Sequence, residues 1–440
     1  MSSPSHRRVV VTGVGMISPL GNSRASFWHA IHTRTSGIRN LTLIPTHNLP
    51  IHFGGEAADF TGDIADFGPL EPAAKKALRK GLKVMCREIQ MGVAASQLAL
   101  TDADLAPGMF DPNRTGIVYG SDYIMTNPDE FSGAVHACMA ETGSFDLSRW
   151  AEKGIPKITP LWLLKYLPNM PACHVAIHND LRGPSNSITV REASSNLALA
   201  EAACTIARGD AEIMVSGATG SRIHAIRTLH VVLQEELACG ETLAESLPKP
   251  FDLARRGMVV GEGAASLVLE ERRAAEARGA RILGEIVGYG SSAAINRDGS
   301  PRTDVALRNA MAQALRTARM APDEVGHLHA HGACTTRGDI DEAKAIREIF
   351  GGRASPVPVT ALKSYLGNVG AAGGALELTA SMLAMAAGEL PPILNYVTPD
   401  PACPISAVTQ STPYPPGRSV MNVSITPQGQ ASAIVFRNDL

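Results

Sequence analysis

The chain has 440 residues, of which 45% are apolar and 19% charged, so it can build a sizeable core and is not disordered as a whole. Its 40 lysines and arginines against 42 aspartates and glutamates give a formal net charge of −2. This balance excludes the basic footprint expected of a protein that binds nucleic acid or an anionic membrane.

The cysteines and histidines predict neither a disulfide scaffold nor a metal site. The seven cysteines are odd in number and no two are spaced Cys-x-x-Cys, which fits a reducing cytoplasm best. His174 and His178 have helical i, i+4 spacing, but no carboxylate stands in register with them. No apolar stretch reaches the ~18 to 20 uninterrupted residues that a membrane span requires, so no membrane is expected as a partner.

The N-terminal region predicts a buried strand at 8–13. A basic start followed by apolar residues imitates a signal peptide, but Gly13, Gly15 and Pro19 interrupt the run. The Gly-Val-Gly sequence also imitates a dinucleotide-binding loop, although Ser18 stands where the third glycine should be. We therefore interpret these glycines as a tight turn that ends the strand.

Further along the chain, short β-type segments alternate with helical patterns, which indicates an α/β architecture. The predicted strands are 8–13, 115–120, 187–190, 211–217, 265–270, 284–290, 327–331, 357–360, 419–425 and 433–436. The predicted helices are 94–99, 196–207, 305–318, 342–350 and 374–387. The charged stretch 270–279 is predicted to be a solvated connector between a longer first half and a shorter second half.

Several long and specific motifs follow one another along the chain. The longest is PFDLARRGMVVGEGA at 250–264. Others are VVVTGVG at 9–15, LRGPS at 181–185, HAHG at 329–332 and KSYLGN at 363–368. In this collinear order, from about residue 8 to residue 436, the segments resemble the β-ketoacyl-acyl-carrier-protein synthases. The resemblance implies a thiolase-type fold, in which two pseudo-symmetric α/β halves form αβαβα layers. We assign the halves to residues 1–277 and 278–440. The resemblance also implies a dimer.

In active members of that family a cysteine at the start of a buried helix takes up the acyl chain as a thioester. Counting forward from Gly183 and counting back from Gly209 both place that nucleophile at position 192, which is Glu192. A carboxylate cannot hold an acyl chain as a lasting thioester. Ordinary condensation through a covalent intermediate is therefore expected to be lost.

Two other features of the family are also altered. Asn368 stands at the position of the second histidine, and an amide can donate a hydrogen bond but cannot carry a proton at neutral pH. In the C-terminal gating loop, Pro427 takes the place of a mobile phenylalanine and is followed by Gln428. Proline would stiffen this gate.

Other family residues are retained and are predicted to surround Glu192 in a buried charged cluster. We expect the helix start, Lys363 and a protonated His331 to stabilise the ionised glutamate while burial opposes it. Arg191 is interpreted as a local partner or a surface charge. The supporting residues are Thr335, Asp339, Glu342 and Glu377.

Three functions remain open at this stage. The first is a non-condensing homologue that resembles a chain-length-factor subunit and pairs with an active ketosynthase. The second is an enzyme with changed chemistry, in which Glu192 and His331 assist acyl transfer or malonyl-carrier-protein decarboxylation. The third, an ordinary 3-oxoacyl-acyl-carrier-protein synthase of fatty-acid elongation, requires that the register of Glu192 is wrong. A divergent homologue would act in biosynthesis of the fatty-acid or polyketide type.

The resemblance also implies the partners. These are an acyl carrier protein, whose phosphopantetheine arm is the substrate carrier, and a second subunit in a homodimer or heterodimer. No covalently bound cofactor and no metal are expected. Carrier proteins are acidic, and candidates for a basic docking patch are Arg7, Arg8, Lys75, Lys76, Arg79, Lys80 and Lys83.

Overall fold

The computed structural model describes residues 7–240 and 244–438. Within these ranges the strands are β1 (Val9–Ile17), β2 (Arg39–Asn40), β3 (Phe53–Gly54), β4 (Thr115–Ser121), β5 (Ser185–Thr189), β6 (Ile213–Ser221), β7 (Glu262–Glu271), β8 (Gly284–Ala293), β9 (His327–His329), β10 (Pro358–Thr360), β11 (Ser406–Ala407), β12 (Ser419–Ile425) and β13 (Gln430–Arg437).

The α-helices of the same ranges alternate with these strands. They are α1 (Arg24–His32), α2 (Pro72–Gly81), α3 (Arg87–Asp102), α4 (Asp129–Ala137), α5 (Met170–Asn179), α6 (Ser194–Arg208), α7 (Ala225–Gln234), α8 (Arg272–Ala277), α9 (Thr303–Ala318), α10 (Thr336–Phe350), α11 (Lys363–Leu366) and α12 (Gly373–Ala387).

Eleven of the described strands form one mixed sheet in the order β11-β10-β9-β12-β13-β8-β1-β7-β6-β4-β5. The two halves of the chain contribute similar arrangements. Each has parallel strands toward its outer edge (β5, β4 and β6, then β11, β10, β9 and β12) and antiparallel strands toward the centre. The halves join through a short ladder between β1 and β8, in which Val10 pairs with Glu285 and Val11 with Gly284.

This topology decides where chemistry can take place. Parallel strands direct their carboxyl ends to one edge of a sheet, where loops and helix starts carry functional side chains. In the first half, Glu192 follows β5, Asp122 follows β4 and Arg222 follows β6. In the second half, β9 and β10 are followed by His331 and Lys363.

The largest hydrophobic core brings both halves together around α6 and α12. It includes Leu199 of α6, Leu376 of α12 and strand residues such as Met214 and Ile434, all buried. Within the described ranges, the stretch Gly370–Ala387 is long and apolar enough to cross a membrane by length and composition, but 78% of it is buried inside the fold. Its apolar character is explained by its position in the core.

The predicted glycine turn at Gly13 and Gly15 is wrong, because β1 continues through both residues to Ile17. They lie beneath α3, and a Cβ atom added at Gly15 would be 2.2 Å from the carbonyl oxygen of Ala95. These glycines therefore allow a helix backbone to pack directly on a strand backbone.

The predicted solvated connector at 270–279 holds for most of the stretch, which is exposed or half-buried, but it is wrong for Glu270 and Ala275. β7 extends to Glu271, and α8 begins at the next residue. Glu270 is buried and accepts hydrogen bonds from Thr12 and Arg278, and Ala275 packs in the interior. The charges of this segment are thus partly internal ion pairs. The predicted boundary between residues 277 and 278 stays a prediction, and residues 1–6, 241–243 and 439–440 of the two predicted halves lie outside the described residues.

Substitution of Gly15 tests the close packing of α3 on β1. We expect Gly15→Ala to lower the free energy of unfolding by about 3 kcal/mol, because the new methyl group meets helix backbone that cannot rotate away. The measurement is urea denaturation followed by circular dichroism. The matched control is Gly133→Ala in α4, where a Cβ atom meets nothing within 4 Å. This exposed helical site should be neutral or gain up to about 1 kcal/mol. Equal effects of the two substitutions would contradict the packing argument.

Candidate functional site

Glu192 lies where two local structures meet. The 3-10 turn Arg191–Ala193 follows β5, and α6 begins immediately after it. Ser194 fixes this junction: its hydroxyl donates to the carbonyl of Ser121 at 2.9 Å and accepts from the amide of Val190 at 2.8 Å. As a result the Glu192 side chain, only 1% exposed, is held at the start of a buried helix, as the register of the sequence predicts.

Two arginines and a second glutamate surround the Glu192 carboxylate. Arg222, which is fully buried, contacts Glu192 Oε1 through Nη2 and donates to Glu235 Oε1 through Nη1 at 3.0 Å. Arg191 pairs with Glu235, and its Nε lies 3.6 Å from Glu192 Oε2. We call these four residues the Arg–Glu network. Two cations and two anions cancel, which is the condition under which charges can be buried.

The backbone of Arg191 adopts φ = 48°, a left-handed conformation that is strained for a residue with a long side chain. Such strain persists where surrounding contacts enforce it, and it occurs often at functional sites. The amide of Ala193 donates to the carbonyl of Val190 at 3.1 Å and closes the turn around Arg191, and the Arg191 side chain pairs with Glu235. The interpretation of Arg191 as a local partner is therefore consistent with its geometry.

The predicted counter-ions of Glu192 are wrong. Lys363 pairs instead with Glu377, and Lys363 Nζ lies 3.2 Å from His331 Nδ1. Burial, then Lys363 and Arg222, lowers the pKa of His331 well below its usual value, so this ring is neutral at pH 7. The lysine can only donate, so Nδ1 accepts and the ring proton lies on Nε2. His331 is therefore a hydrogen-bond donor at Nε2 and not a cation beside Glu192.

Glu342 and Asp339 support the backbone around this histidine. The two Glu342 oxygens accept from the amides of His331 at 2.7 Å and Gly332 at 2.8 Å. Burial raises the pKa of Glu342 to about 8 and that of Asp339 to about 7. Asp339 accepts from the amide of Phe251 at 2.8 Å. These retained acids thus position main chain, and Glu377 balances the charge of the buried lysine.

Asn368 completes the site from the second half of the chain. Its Oδ1 accepts from the amide of Gly370 at 3.0 Å, which directs Nδ2 away from that turn. Nδ2 lies 3.3 Å from Glu192 Oε1 and 3.2 Å from Met258 Sδ. The Asn368 side chain donates a hydrogen bond, and its partner is the Glu192 carboxylate.

These groups open onto a cavity of about 240 Å³. The buried residues Glu192, His331 and Asn368 line it together with the exposed Pro427. The lining also includes Thr335, Asp339, Glu342, Glu235, Glu236 and Asp341. Both predicted gate residues are exposed at the tip of the turn between β12 and β13. This turn is closed by a hydrogen bond from the amide of Thr426 to the carbonyl of Gln430, at 2.9 Å. A gating role for Pro427 and Gln428 stays a prediction.

No cysteine lines this cavity, and all seven lie in the described part of the chain. Cys334 is the nearest candidate in sequence to His331. It is buried in a turn with φ = 67°, and burial raises its thiol pKa well above the usual value. A thiol of this kind is inert as a nucleophile.

Arg222 and Glu235 are the site residues that the sequence interpretation missed. Arg222 directly follows the observed strand β6, but the predicted strand ended at residue 217, so the sequence interpretation did not place Arg222 at a strand end, where parallel sheets carry functional side chains. Glu235 lies just beyond the C-terminal end of α7, and α7 was not among the predicted helices. In the described residues, no three His, Cys, Asp or Glu side chains form a group that could hold a metal ion.

A double-mutant cycle tests the Arg–Glu network. Arg222→Met should lower the free energy of unfolding by about 3 to 5 kcal/mol, because it leaves Glu192 buried without its main counter-ion. Glu192→Leu added to Arg222→Met should recover much of that loss, since the uncompensated charge disappears. The measurement is chemical denaturation of the wild type, both single variants and the double variant.

The control for this cycle is the exposed pair Arg272–Glu276, which joins the same residue types across one helical turn. Arg272→Ala should change stability by less than about 1 kcal/mol. If the effects of the Arg222 and Glu192 substitutions simply add, the two residues are not coupled and the network does not hold the site together.

The comparisons with known proteins cover nearly the whole chain. Residues 6–275 match the family model of the beta-ketoacyl synthase N-terminal domain, and residues 283–397 match that of its C-terminal domain. The chain is 30% identical over 433 residues to 3-oxoacyl-(acyl-carrier-protein) synthase 2 of Staphylococcus aureus (strain COL), with 98% of each protein covered.

Two solved structures are similar over the same extent. One is a beta-ketoacyl synthase from Burkholderia phymatum STM815, with a TM-score of 0.85, 28% identity and coverage of 99% of this chain and 100% of the other. The second is the ishigamide ketosynthase/chain length factor, with a TM-score of 0.82, 25% identity and the same coverage. The prediction of a thiolase-type α/β fold is confirmed. The chain belongs to the beta-ketoacyl synthase family.

Proposed function

We propose that this chain is a non-condensing member of its family, which works on carrier-protein-bound acyl chains as the chain-length-factor-like subunit of a heterodimer with an active ketosynthase. One observation carries the proposal: at the nucleophile position stands a buried carboxylate engaged by Arg222, with no thiol lining the cavity. Thioester formation needs an accessible thiolate. The similarity to a ketosynthase/chain length factor supports the same conclusion.

The retained polar groups are consistent with a subunit that keeps the family's architecture without its reaction. Lys363 and Glu377 form a buried ion pair, and Glu342 accepts hydrogen bonds from two buried backbone amides. Loss of any of these side chains would leave a buried charge or amide without a partner. They are needed for folding whether or not the site reacts. In this account the phosphopantetheine arm is a substrate carrier that belongs to the carrier protein, and no resident cofactor takes part.

Reconstitution with the active ketosynthase that co-purifies with this chain, or that is encoded beside it, tests the proposal. We expect the purified chain alone to release no condensation product from acyl- and malonyl-carrier protein, and the heterodimer to be active. Products are identified by mass spectrometry. Condensation by the chain alone would overturn the proposal and favour an ordinary 3-oxoacyl-acyl-carrier-protein synthase. Full activity of the ketosynthase without this chain would also overturn it.

A second function is favoured by one specific observation: Glu192 Oε2 has no hydrogen-bond partner within the described residues, and Glu192 lines the cavity. This oxygen is available as a general base. In such a reaction it would take the proton of an amine or hydroxyl as that atom attacks the acyl carbonyl. The carbon–sulfur bond of the thioester would break, and Glu192 would return the proton to the departing thiolate, so that the carrier arm leaves as a thiol.

Glu192→Gln distinguishes the two functions, because it preserves shape and hydrogen bonding but cannot accept a proton. If the chain is an acyl transferase, this substitution should lower kcat by about 10² to 10⁴ with little change in KM. If it is a non-condensing subunit, activity of the reconstituted heterodimer should survive Glu192→Gln. Asn368→Ala is the matched control. It removes a hydrogen bond to Glu192 but leaves the carboxylate, which is the proposed base, in place. The enzyme hypothesis is contradicted if the wild type shows neither acyl transfer nor decarboxylation and both variants behave like the wild type in the same assays.

The carrier protein is expected to dock on a basic surface, and α2 is the candidate. Its lysines and arginine are half-buried or exposed, while Leu78 anchors the helix in the interior. The double substitution Lys76→Glu/Arg79→Glu should weaken binding of an acidic carrier protein about tenfold or more at low salt, and less at high salt. The measurement is fluorescence anisotropy of labelled carrier protein. Arg316→Glu, an exposed cation on α9, is the control, and an equal loss there would rule out a specific patch.

A further inference from the structure

Two fully buried histidines on β9 share one serine of α12. His327 and His329 lie on the same strand, two residues apart, and Ser381 is 1% exposed. The Ser381 hydroxyl oxygen lies 3.0 Å from His327 Nε2 and 2.8 Å from His329 Nδ1. A serine has one hydroxyl hydrogen, so it donates to one of the two rings and accepts from the other. We call these three side chains the His–Ser–His bridge.

The two ends of the His–Ser–His bridge decide which way its hydrogen bonds run. The amide of Leu362 donates to His329 Nε2 at 3.1 Å, so that nitrogen carries no hydrogen. The ring hydrogen of His329 therefore lies on Nδ1 and is donated to Ser381. At the other end, His327 Nδ1 lies 2.7 Å from the carbonyl of Pro416, which can only accept. The ring hydrogen of His327 therefore lies on Nδ1 as well, and its Nε2 accepts from the Ser381 hydroxyl.

The bridge is complete only when both rings are neutral. Each donor then has one acceptor, which is what buried polar groups require. A further proton on His329 would lie on Nε2 and face the amide of Leu362, so that two donors would meet. A further proton on His327 would face the Ser381 hydroxyl hydrogen in the same way. Burial lowers the pKa of His327 to about 4 and that of His329 well below its usual value.

The charges near the two rings do not favour protonation. After burial, His327 and Lys363 are the groups that lower the pKa of His329. Glu377 is the one titratable residue of α12, and its carboxylate already pairs with Lys363. The neighbouring strands β10 and β12 carry no titratable side chain. The carbonyl of Pro416 opposes the effect of burial on His327 only in part.

The bridge ends at the segment that supplies the second half of the Glu192 site. Leu362 immediately precedes α11, and amides at the start of a helix have no acceptor inside the helix. His329 supplies that acceptor. Lys363 is the next residue, and Asn368, which donates to Glu192, follows two residues after α11 ends.

We propose that the His–Ser–His bridge is a one-way set of hydrogen bonds that holds the backbone at Leu362, positions Lys363 and Asn368 of the Glu192 site, and admits no further proton. Its three members are positioning residues, because none of them lines the Glu192 cavity. The bridge does not depend on which function the Glu192 site performs.

The position of the ring hydrogens tests the bridge on the full chain. After labelling with [15N]histidine, long-range 1H–15N correlation spectra should show both rings with a hydrogen on Nδ1 and none on Nε2, at pH 7 and still at about pH 5.5. His327→Asn and His329→Asn assign the signals. Ser381→Ala should shift the signals of both rings together, which assigns them if a histidine variant does not fold. A hydrogen on Nε2 of either ring at pH 7, or a protonated ring in the folded protein at the lower pH, would overturn the proposal.

Hydrogen exchange tests whether the bridge positions the backbone. Ser381→Ala should speed exchange of the Leu362 amide about tenfold or more, because the His329 ring is no longer held as its acceptor. The measurement is hydrogen–deuterium exchange followed by mass spectrometry of the peptide that contains this amide. The matched control is Thr379→Val, which removes another buried hydroxyl of α12, one that donates to the carbonyl of Ala375 within the helix at 2.8 Å. No increase in Ser381→Ala, or an equal increase in both variants, would contradict the positioning role.

The acid dependence of stability is an independent readout. A ring that is neutral in the fold but protonated in the unfolded chain destabilises the protein as the pH falls below about 6.5. Between about pH 7.5 and about pH 5.5, the unfolding constant should therefore rise about tenfold less in His329→Asn or His327→Asn than in the wild type. His47→Asn, at an exposed histidine, is the control and should leave the rise unchanged. A rise equal to that of the wild type in the bridge variants would contradict the neutral bridge.

Discussion

The burial of the Glu192 carboxylate is the constraint on which the rest of the site depends. An ionised carboxylate without a partner is unstable in a protein interior, so the fold must supply a cation at the same place. Arg222 supplies it and is buried completely in doing so. Glu192 leaves other N–H groups of Arg222 without an acceptor, and Glu235 accepts from one of them; Arg191 then balances the charge of Glu235. The burial of Glu192 is thus accommodated by a network of four charged side chains, of which Glu192 is one.

The same constraint separates the two halves of the site chemically. The first half contributes the Arg–Glu network through the ends of β5 and β6. The second half contributes Lys363, Glu377 and a neutral His331, a set that is balanced without Glu192. Asn368 connects the two sets by its hydrogen bond to Glu192. This separation argues against the shared proton transfer between a cysteine and two bases that a condensing site requires, and it favours a subunit with a structural task.

The sequence predicted those parts of the fold that repeat local rules, and missed those that depend on distant partners. Buried strands with apolar runs, such as β12 and β4, were placed within a residue of their observed bounds. Helices that bury few apolar residues were missed; α1 buries only Phe27 and Ile31. Gly13 and Gly15 were misread because only the packed α3 reveals why they are small.

The candidate site was predictable to the extent that it follows the family's motifs. Counting between glycines located Glu192, and the collinear blocks located His331, Lys363 and Asn368. The counter-ion of Glu192 could not be found in this way, because Arg222 belongs to no motif and approaches through the adjacency of parallel strands. The protonation state of His331 likewise depends on its burial and on Lys363, which sequence spacing does not show.

The intact mass of the protein after incubation with acyl-carrier protein tests the central claim most directly. The account predicts an unchanged mass for the wild type under conditions that acylate an active ketosynthase, since a carboxylate paired with Arg222 forms no lasting acyl bond. A stoichiometric acyl increment, mapped by peptide analysis to Glu192 or to a cysteine such as Cys334, would contradict it.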